Sequence, residues 1–179
     1  MKDYTLKINK KNGKTEISFP YYGMYITNAT IDHGKVIYPC RIRRKANKVV
    51  LDASGNPIRD LVYHPMAAFQ DGFEDWLRDV AVTGHASTVN LDSPGIQAFV
   101  TPRSFGSDLI AFVCLSYHGL IIDDFALKKD ENGLLYLTMP HRTRFDENGV
   151  RHDVNLVEIT DPNEYNRLMD LILDKYQIA

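Results

Sequence analysis

The sequence predicts an α+β protein built from two similar units, each a mostly antiparallel sheet with one C-terminal packing helix, arranged as a pseudo-dimer. Three observations predict it. Short extended runs meet at Asn-Gly turns, Lys11-Asn12-Gly13-Lys14 and Asp146-Glu147-Asn148-Gly149, whose residues tolerate positive φ and so close hairpins. Apolar residues at helical spacing end each half. Markers of the first half recur in the same order in the second. Tyr21-Tyr22-Gly23-Met24 is echoed by Tyr117-His118-Gly119-Leu120, and Ile26, Asn28 and Ile31 by Ile122, Asp124 and Leu127. Val36-Ile37-Tyr38 is aligned with Leu134-Leu135-Tyr136, Asp52 and Gly55 with Asp146 and Gly149, and Phe73, Trp76 and Val80 with Tyr165, Leu168 and Ile172.

In chain order, Tyr4, Leu6 and Ile8 form one face of a strand that turns at Asn12-Gly13 and returns through Ile17 and Phe19. Met24 to Ile31 is a second extended run, and Val36-Ile37-Tyr38-Pro39 a third that stops at a proline. After the Asp52-to-Gly55 turn, Arg59 to Pro65 extends again. A helix is expected from Met66, with Phe69, Phe73, Trp76, Leu77 and Val80 along its buried face. Residues 83–95, TGHASTVNLDSPG, are small, polar and turn-rich, which places a linker between units 1–82 and 96–179.

The second unit opens with a strand, turn and strand from Ala98 to Tyr117, where Cys114 is expected in the core. Gly133 to Val157 reads as one hairpin, with Leu134 to Leu137 entering, a basic edge stiffened by Met139-Pro140, and Val154, Leu156 and Ile159 apolar on the returning strand while Val157 points to the opposite face. Asp161 is expected to cap the last helix, with Pro162 at its first position and Glu164 completing a capping box. Tyr165, Leu168, Met169, Ile172 and Tyr176 are its apolar stripe.

The totals narrow the function. The 179 residues carry a formal net charge of −2, so any nucleic-acid role must rest on a local basic patch rather than on bulk charge. Cys40 and Cys114 are far apart and outside any C-x-x-C spacing, which suits free thiols in a reducing compartment. The charged start MKDYTLKINKKNGK has no apolar signal core, and no run is long enough to span a bilayer. The expectation is a soluble, cytoplasmic protein with no membrane partner.

A family likeness rests on particular residues. Ile122-x-Asp124, Asn132-Gly133-Leu134, Met139-Pro140-x-Arg142, the Gly149 turn into Arg151-x-Asp153, and a helix from Tyr165 to Tyr176 together resemble the SpoVG (stage V sporulation protein G) family. The first half adds Gly55-x-x-x-Arg59-Asp60, running on to His64-Pro65, and has Tyr38-Pro39-Cys40-Arg41 where Met-Pro-x-Arg is expected. The resemblance implies a small bacterial protein with site-selective DNA and RNA binding. It also implies that the covalent tandem replaces the family's dimer and leaves a further homodimer open.

The residues themselves point to one chemistry. Arg41, Arg43, Arg44, Lys45 and Lys48 form a run with no acid between Lys35 and Leu51; His141, Arg142 and Arg144 occupy the corresponding place in the second half. Guanidinium and ammonium groups converging on one groove bind phosphates by releasing counterions, and Tyr38, Tyr136 and Phe145 are nearby rings on which bases can stack. Solvated loop charge is the plainer reading of such runs. His118, Asp123, Asp124, His141, His152 and Asp153 crowd the second half, yet no metal-binding spacing joins them, and strand neighbours His152 and Asp153 face opposite ways. Asp60 and Asp153 are expected to secure the hairpin returns, each by pairing with an arginine across the sheet. No nucleophile–base pair and no Gly-rich phosphate loop is evident, so neither catalytic residues nor a cofactor are expected. The expected function is a nucleic-acid-binding regulator acting on DNA or RNA through two equivalent basic loops. The alternative is a protein–protein interaction module on the same scaffold, motivated by the low net charge and the acidic last helix with Asp161, Glu164, Asp170 and Asp174.

Overall fold

The computed structural model describes residues 2–44, 50–51, 53–58, 60–69, 72–86, 95–103 and 108–178. It is an α+β fold with mostly antiparallel sheets and two α-helices. The first sheet begins with β1 (Lys7–Lys11) and β2 (Lys14–Tyr21), joined by Asn12 and Gly13 at φ 53° and 75°, as the Asn-Gly signal requires. β3 (Met24–Asp32) follows, and β4 (Lys35–Ile37) pairs with one end of it. The second sheet comprises β10 (Ile96–Pro102), β11 (Leu109–Tyr117), β12 (Leu120–Lys129) and β13 (Leu135–Thr138).

Each sheet is completed by a strand from the other half. β9 (Met66–Ala68) leaves the first half and pairs with β12, placing Met66 opposite Ile122. β16 (Val157–Ile159) leaves the second half and pairs with β3, placing Val157 opposite Ile26. Ile26 and Ile122 are separated by 122 − 26 = 96 positions, and other features keep that spacing. The bulge between Ile17 and Phe19 matches the one between Val113 and Leu115. Positive φ occurs at Tyr22 and His118, and again at Asn28 and Asp124. The Thr160 N–H donates to the Gly23 carbonyl, as Phe69 N–H does to that of Gly119.

Between the exchanged strands and the sheets lie two-stranded ribbons. β5 (Arg41–Arg44) pairs with β8 (Asp60–Tyr63), and β14 (His141–Phe145) with β15 (Arg151–Asn155). The short pair β6 (Val50–Leu51) and β7 (Pro57–Ile58) extends the first ribbon.

α1 (Phe73–Thr83) packs Phe73 and Trp76 against Phe19 of the first sheet, with ring centroids 6.4 and 5.5 Å apart. It ends at Gly84, whose left-handed φ of 72° lets its N–H reach the Val80 carbonyl at 2.9 Å. α2 (Pro162–Ile178) buries Leu168, Met169 and Ile172 over the second sheet, and the Tyr165 hydroxyl accepts the Leu137 N–H at 3.1 Å. One continuous core joins both halves through Met66, Tyr117, Leu120 and Val157. Among the described residues no helix is long and apolar enough to cross a membrane.

Several expectations are corrected. The helix expected from Met66 begins at Phe73, because Met66–Ala68 is captured as an edge strand by β12. Phe69 is exposed rather than on the helix stripe. Gly133 to Val157 is not one hairpin: β13 belongs to the second sheet, and the chain breaks at Met139-Pro140 before the β14–β15 ribbon. Val157 is buried together with Leu156, having left the ribbon for β3. Register aligns Val36 with Leu137 (137 − 36 = 101) rather than with Leu134, since Ile31 faces Val36 as Leu127 faces Leu137. Asp161 does cap α2, its Oδ1 accepting the Asn163 N–H at 2.9 Å, but Glu164 turns away to Arg167 and closes no capping box. Cys114 is half-buried on the outer face of the second sheet, paired with Phe99, because the regular alternation of β11 buries Ala111, Val113, Leu115 and Tyr117 on the other face. Burial, and then Asp123, push its thiol pKa up.

Candidate nucleic-acid interface

The corrected register gives the two basic strands the same origin. β4 runs out at Ile37 and passes Tyr38-Pro39-Cys40 into β5; β13 runs out at Thr138 and passes Met139-Pro140 into β14, which starts at His141. Pro39 and Pro140 are both buried, and the missing proline N–H is one reason the sheet ladder stops there. Pro140 still accepts, taking the Leu156 N–H at 2.7 Å as the chain re-enters the core. Freed from the sheets, β5 and β14 come side by side, with Cα atoms within 8 Å. Arg41, Arg43 and Arg44 are therefore on the strand next to the one carrying His141, Arg142 and Arg144. Lys45 and Lys48 lie outside the described residues.

Alternation splits the second ribbon by charge. His141, Thr143 and Phe145 share a face with Arg151, Asp153 and Asn155. There Asp153 accepts from Thr143 Oγ1 at 2.7 Å and from Arg151 Nε and Nη2 at 3.2 and 3.1 Å, so the Arg151 charge is neutralised. The arginine expected across the sheet is instead Arg151, two positions away on the same strand, and the cross-strand partner of Asp153 is Thr143. Those contacts, Thr143 first, hold the Asp153 carboxyl below its usual range.

The other face carries Arg142 and Arg144 opposite Val154 and His152. His152 Nε2 is 3.1 Å from Asp146 Oδ2, and the same aspartate braces the turn by accepting the Asn148 and Val150 N–H groups. Arg144 is exposed and, among the described residues, meets no carboxylate. Arg142 is half-buried, and its Nε is buried with no acceptor among the described residues. Burial, followed by the charge of Arg144, pulls its pKa down, with Cys40 and Glu16 nearby opposing. Of the expected stacking rings, Phe145 and Tyr136 are accessible. Tyr38 is not: its hydroxyl donates to Glu74 at 3.0 Å, and burial, then that carboxylate, push its pKa up.

A second constellation lies where the two sheets meet. Tyr22 and His118 stack face to face beside a polar cleft of about 540 Å³ that Thr160, Asp161, Glu164 and Arg167 also line. Arg167 clamps Glu164 through Nε and Nη2, both at 3.0 Å. Tyr117 accepts the Gly23 N–H at 3.1 Å; burial, then Glu164, push its phenol pKa up. Burial likewise pushes the His118 imidazole down, with Glu164 opposing and Arg167 reinforcing. The echo of Tyr21-Tyr22-Gly23 in Tyr117-His118-Gly119 is the sequence signal for this cluster, although it reads there only as a mark of repetition.

Comparison with family models, curated proteins and solved structures finds no match for the chain.

Proposed function

We propose that this chain is a non-enzymatic, SpoVG-like nucleic-acid-binding regulator, built as a fused pair of similar units whose basic strands form one phosphate-binding surface. The observation that carries the reading is the side-by-side placement of β5 and β14. Two separate arms would each engage phosphates weakly, whereas here Arg41, Arg43 and Arg44 lie on the strand beside Arg142 and Arg144. Arg144 meets no carboxylate among the described residues, while the opposite face of the same ribbon has neutralised its own arginine with Asp153. A two-stranded ribbon is also narrow enough to enter a major groove, and Phe145 offers a ring to an unpaired base.

The test is fluorescence anisotropy with single-stranded and duplex DNA and RNA at two salt concentrations. Binding should weaken steeply with salt. Arg43→Glu with Arg144→Glu should reduce the salt slope by about 2, roughly one for each phosphate that an arginine no longer neutralises. Affinity unchanged in the double variant, with folding intact, removes the proposal. A protein-interaction module is the second reading; exposed Asp170 and Asp174, one turn apart on α2, favour it. Recovery of one stoichiometric protein partner after nuclease treatment supports it.

A further inference from the structure

The two sheets differ most on the faces turned away from the helices. Register makes their positions comparable, since Lys7 faces Ser18 and Glu16 faces Thr30 in the first sheet as Phe99 faces Cys114 and Phe112 faces Ala126 in the second. Lys35 likewise corresponds to Tyr136, since they lie opposite Asp32 and Lys128, which are 128 − 32 = 96 positions apart. The first sheet thus carries Lys7, Glu16 and Lys35 where the second carries Phe99, Phe112 and Tyr136. Thr160, which enters α2, is matched by Phe69 through their shared backbone bonds to Gly23 and Gly119. Phe69, Phe99, Phe112 and Tyr136 are 50, 54, 42 and 37% exposed.

The first sheet shows that this architecture accepts charged residues at these positions. Packing within the fold therefore does not demand the aromatic ones, and large apolar side chains gathered on one sheet face in water are the signature of an interaction surface.

The charges on the face select the occupant. Asp108 and Asp123 lie on or beside it, and Lys128 is already 3.5 Å from Asp108, so Arg103, stacked 5.0 Å over the Phe112 ring, is the cation left over among the described residues. That balance disfavours a polyanion. Along β12, Lys128 and Asp123 are five residues apart, roughly 17 Å at strand rise, and each already holds a partner within the chain, Asp108 for Lys128 and the Tyr63 hydroxyl for Asp123. A two-fold axis crossing the strands near Ala126 would set Lys128 of each copy against Asp123 of the other while stacking the aromatic centre on itself. A surface both apolar at its middle and self-complementary at its ends suits an isologous contact.

We propose that the outer face of the second sheet is a self-association surface on which a second copy of this chain packs about a two-fold axis. It does not rest on nucleic-acid binding.

The test is sedimentation equilibrium of the nuclease-treated full chain across a concentration series. Wild type should dimerise reversibly. Phe99→Glu with Phe112→Glu should be monomeric throughout with an unchanged circular dichroism spectrum, and Lys128→Glu should dimerise at least tenfold more weakly at low salt. Lys7→Glu with Glu16→Lys, on the corresponding face of the first sheet, should leave the dimer intact. A wild-type chain that stays monomeric at the highest concentration, or a dimer that survives the Phe99 and Phe112 substitutions, overturns the proposal. Anisotropy on the same variants keeps the two readings apart, since loss of the dimer should leave salt-dependent nucleic-acid binding measurable.

Discussion

The rings of Tyr22 and His118 stack 3.6 Å apart and 10° from parallel, across the junction of the two sheets. Both residues sit at positive φ, 52° and 48°, a region that costs a non-glycine residue on the order of 1–3 kcal/mol when the surroundings impose it. The surroundings here are specific. The Tyr21 hydroxyl donates to the His118 carbonyl, and the Gly23 N–H donates to Tyr117, so each turn is tied to the other half.

Gly23 is required by its neighbour. A Cβ there would lie 2.6 Å from both Cβ and Cγ of Glu164, near-backbone atoms that cannot swing away as a side-chain tip would. Gly23→Ala should destabilise the fold by about 1–3 kcal/mol, the range for overpacking. In a Glu164→Gly background, which removes both of those atoms, the same change should cost clearly less, measured by urea denaturation as a double-mutant cycle. Equal costs in both backgrounds would mean the contact is not the cause.

The exchange of β9 and β16 predicts mutual dependence of the halves. Residues 1–82 alone lack the strand that pairs with β3, and residues 96–179 alone lack the one that pairs with β12. Each fragment should show poor dispersion in ¹H–¹⁵N spectra, and mixing should restore a folded spectrum. Met66→Ala in the intact chain should cost about 2–5 kcal/mol, because Met66 is buried in the partner sheet. Independent folding of both fragments would show the exchanged strands to be dispensable.

His118 sets a pH dependence. Burial holds its folded pKa below the ordinary 6.5, so the unfolded chain binds the proton more tightly. The corresponding stability is fully present above about pH 6.5 and is lost as pH falls through the lowered folded value. Glu164 and Arg167, facing the ring from α2, act in opposite directions and do not reverse this sign. His118→Asn keeps a residue that tolerates positive φ. The drop in Tm between about pH 8 and about pH 5 should be smaller in that variant than in wild type; an identical drop would assign it to other groups.

The limits of sequence reading follow from particular residues. Asn12-Gly13, the Asp161 cap and the Leu168, Met169 and Ile172 stripe are legible because their causes are local: backbone freedom, an accepted N–H, helical spacing. Met66–Ala68 is not legible as a strand, because three residues before a helix carry no periodicity of their own. Their state is set by β12, over fifty positions away. The basic residues are visible as charge, but their convergence depends on where Pro39 and Pro140 release the ribbons. Tyr38 is visible as a ring, and only the position of Glu74 removes it from the surface.

The amino-acid order by itself determined the class of the fold, the hairpin at Asn12-Gly13, the two C-terminal helices of the halves and the two basic segments, all through interactions reaching a few residues along the chain. The tertiary structure alone decided that β9 and β16 cross to the opposite sheets, that β5 and β14 become neighbours, and that one outer sheet face is charged while its counterpart is aromatic. Those outcomes depend on pairing between segments distant in sequence, where unsatisfied backbone groups and buried apolar area, rather than local propensity, choose the partner.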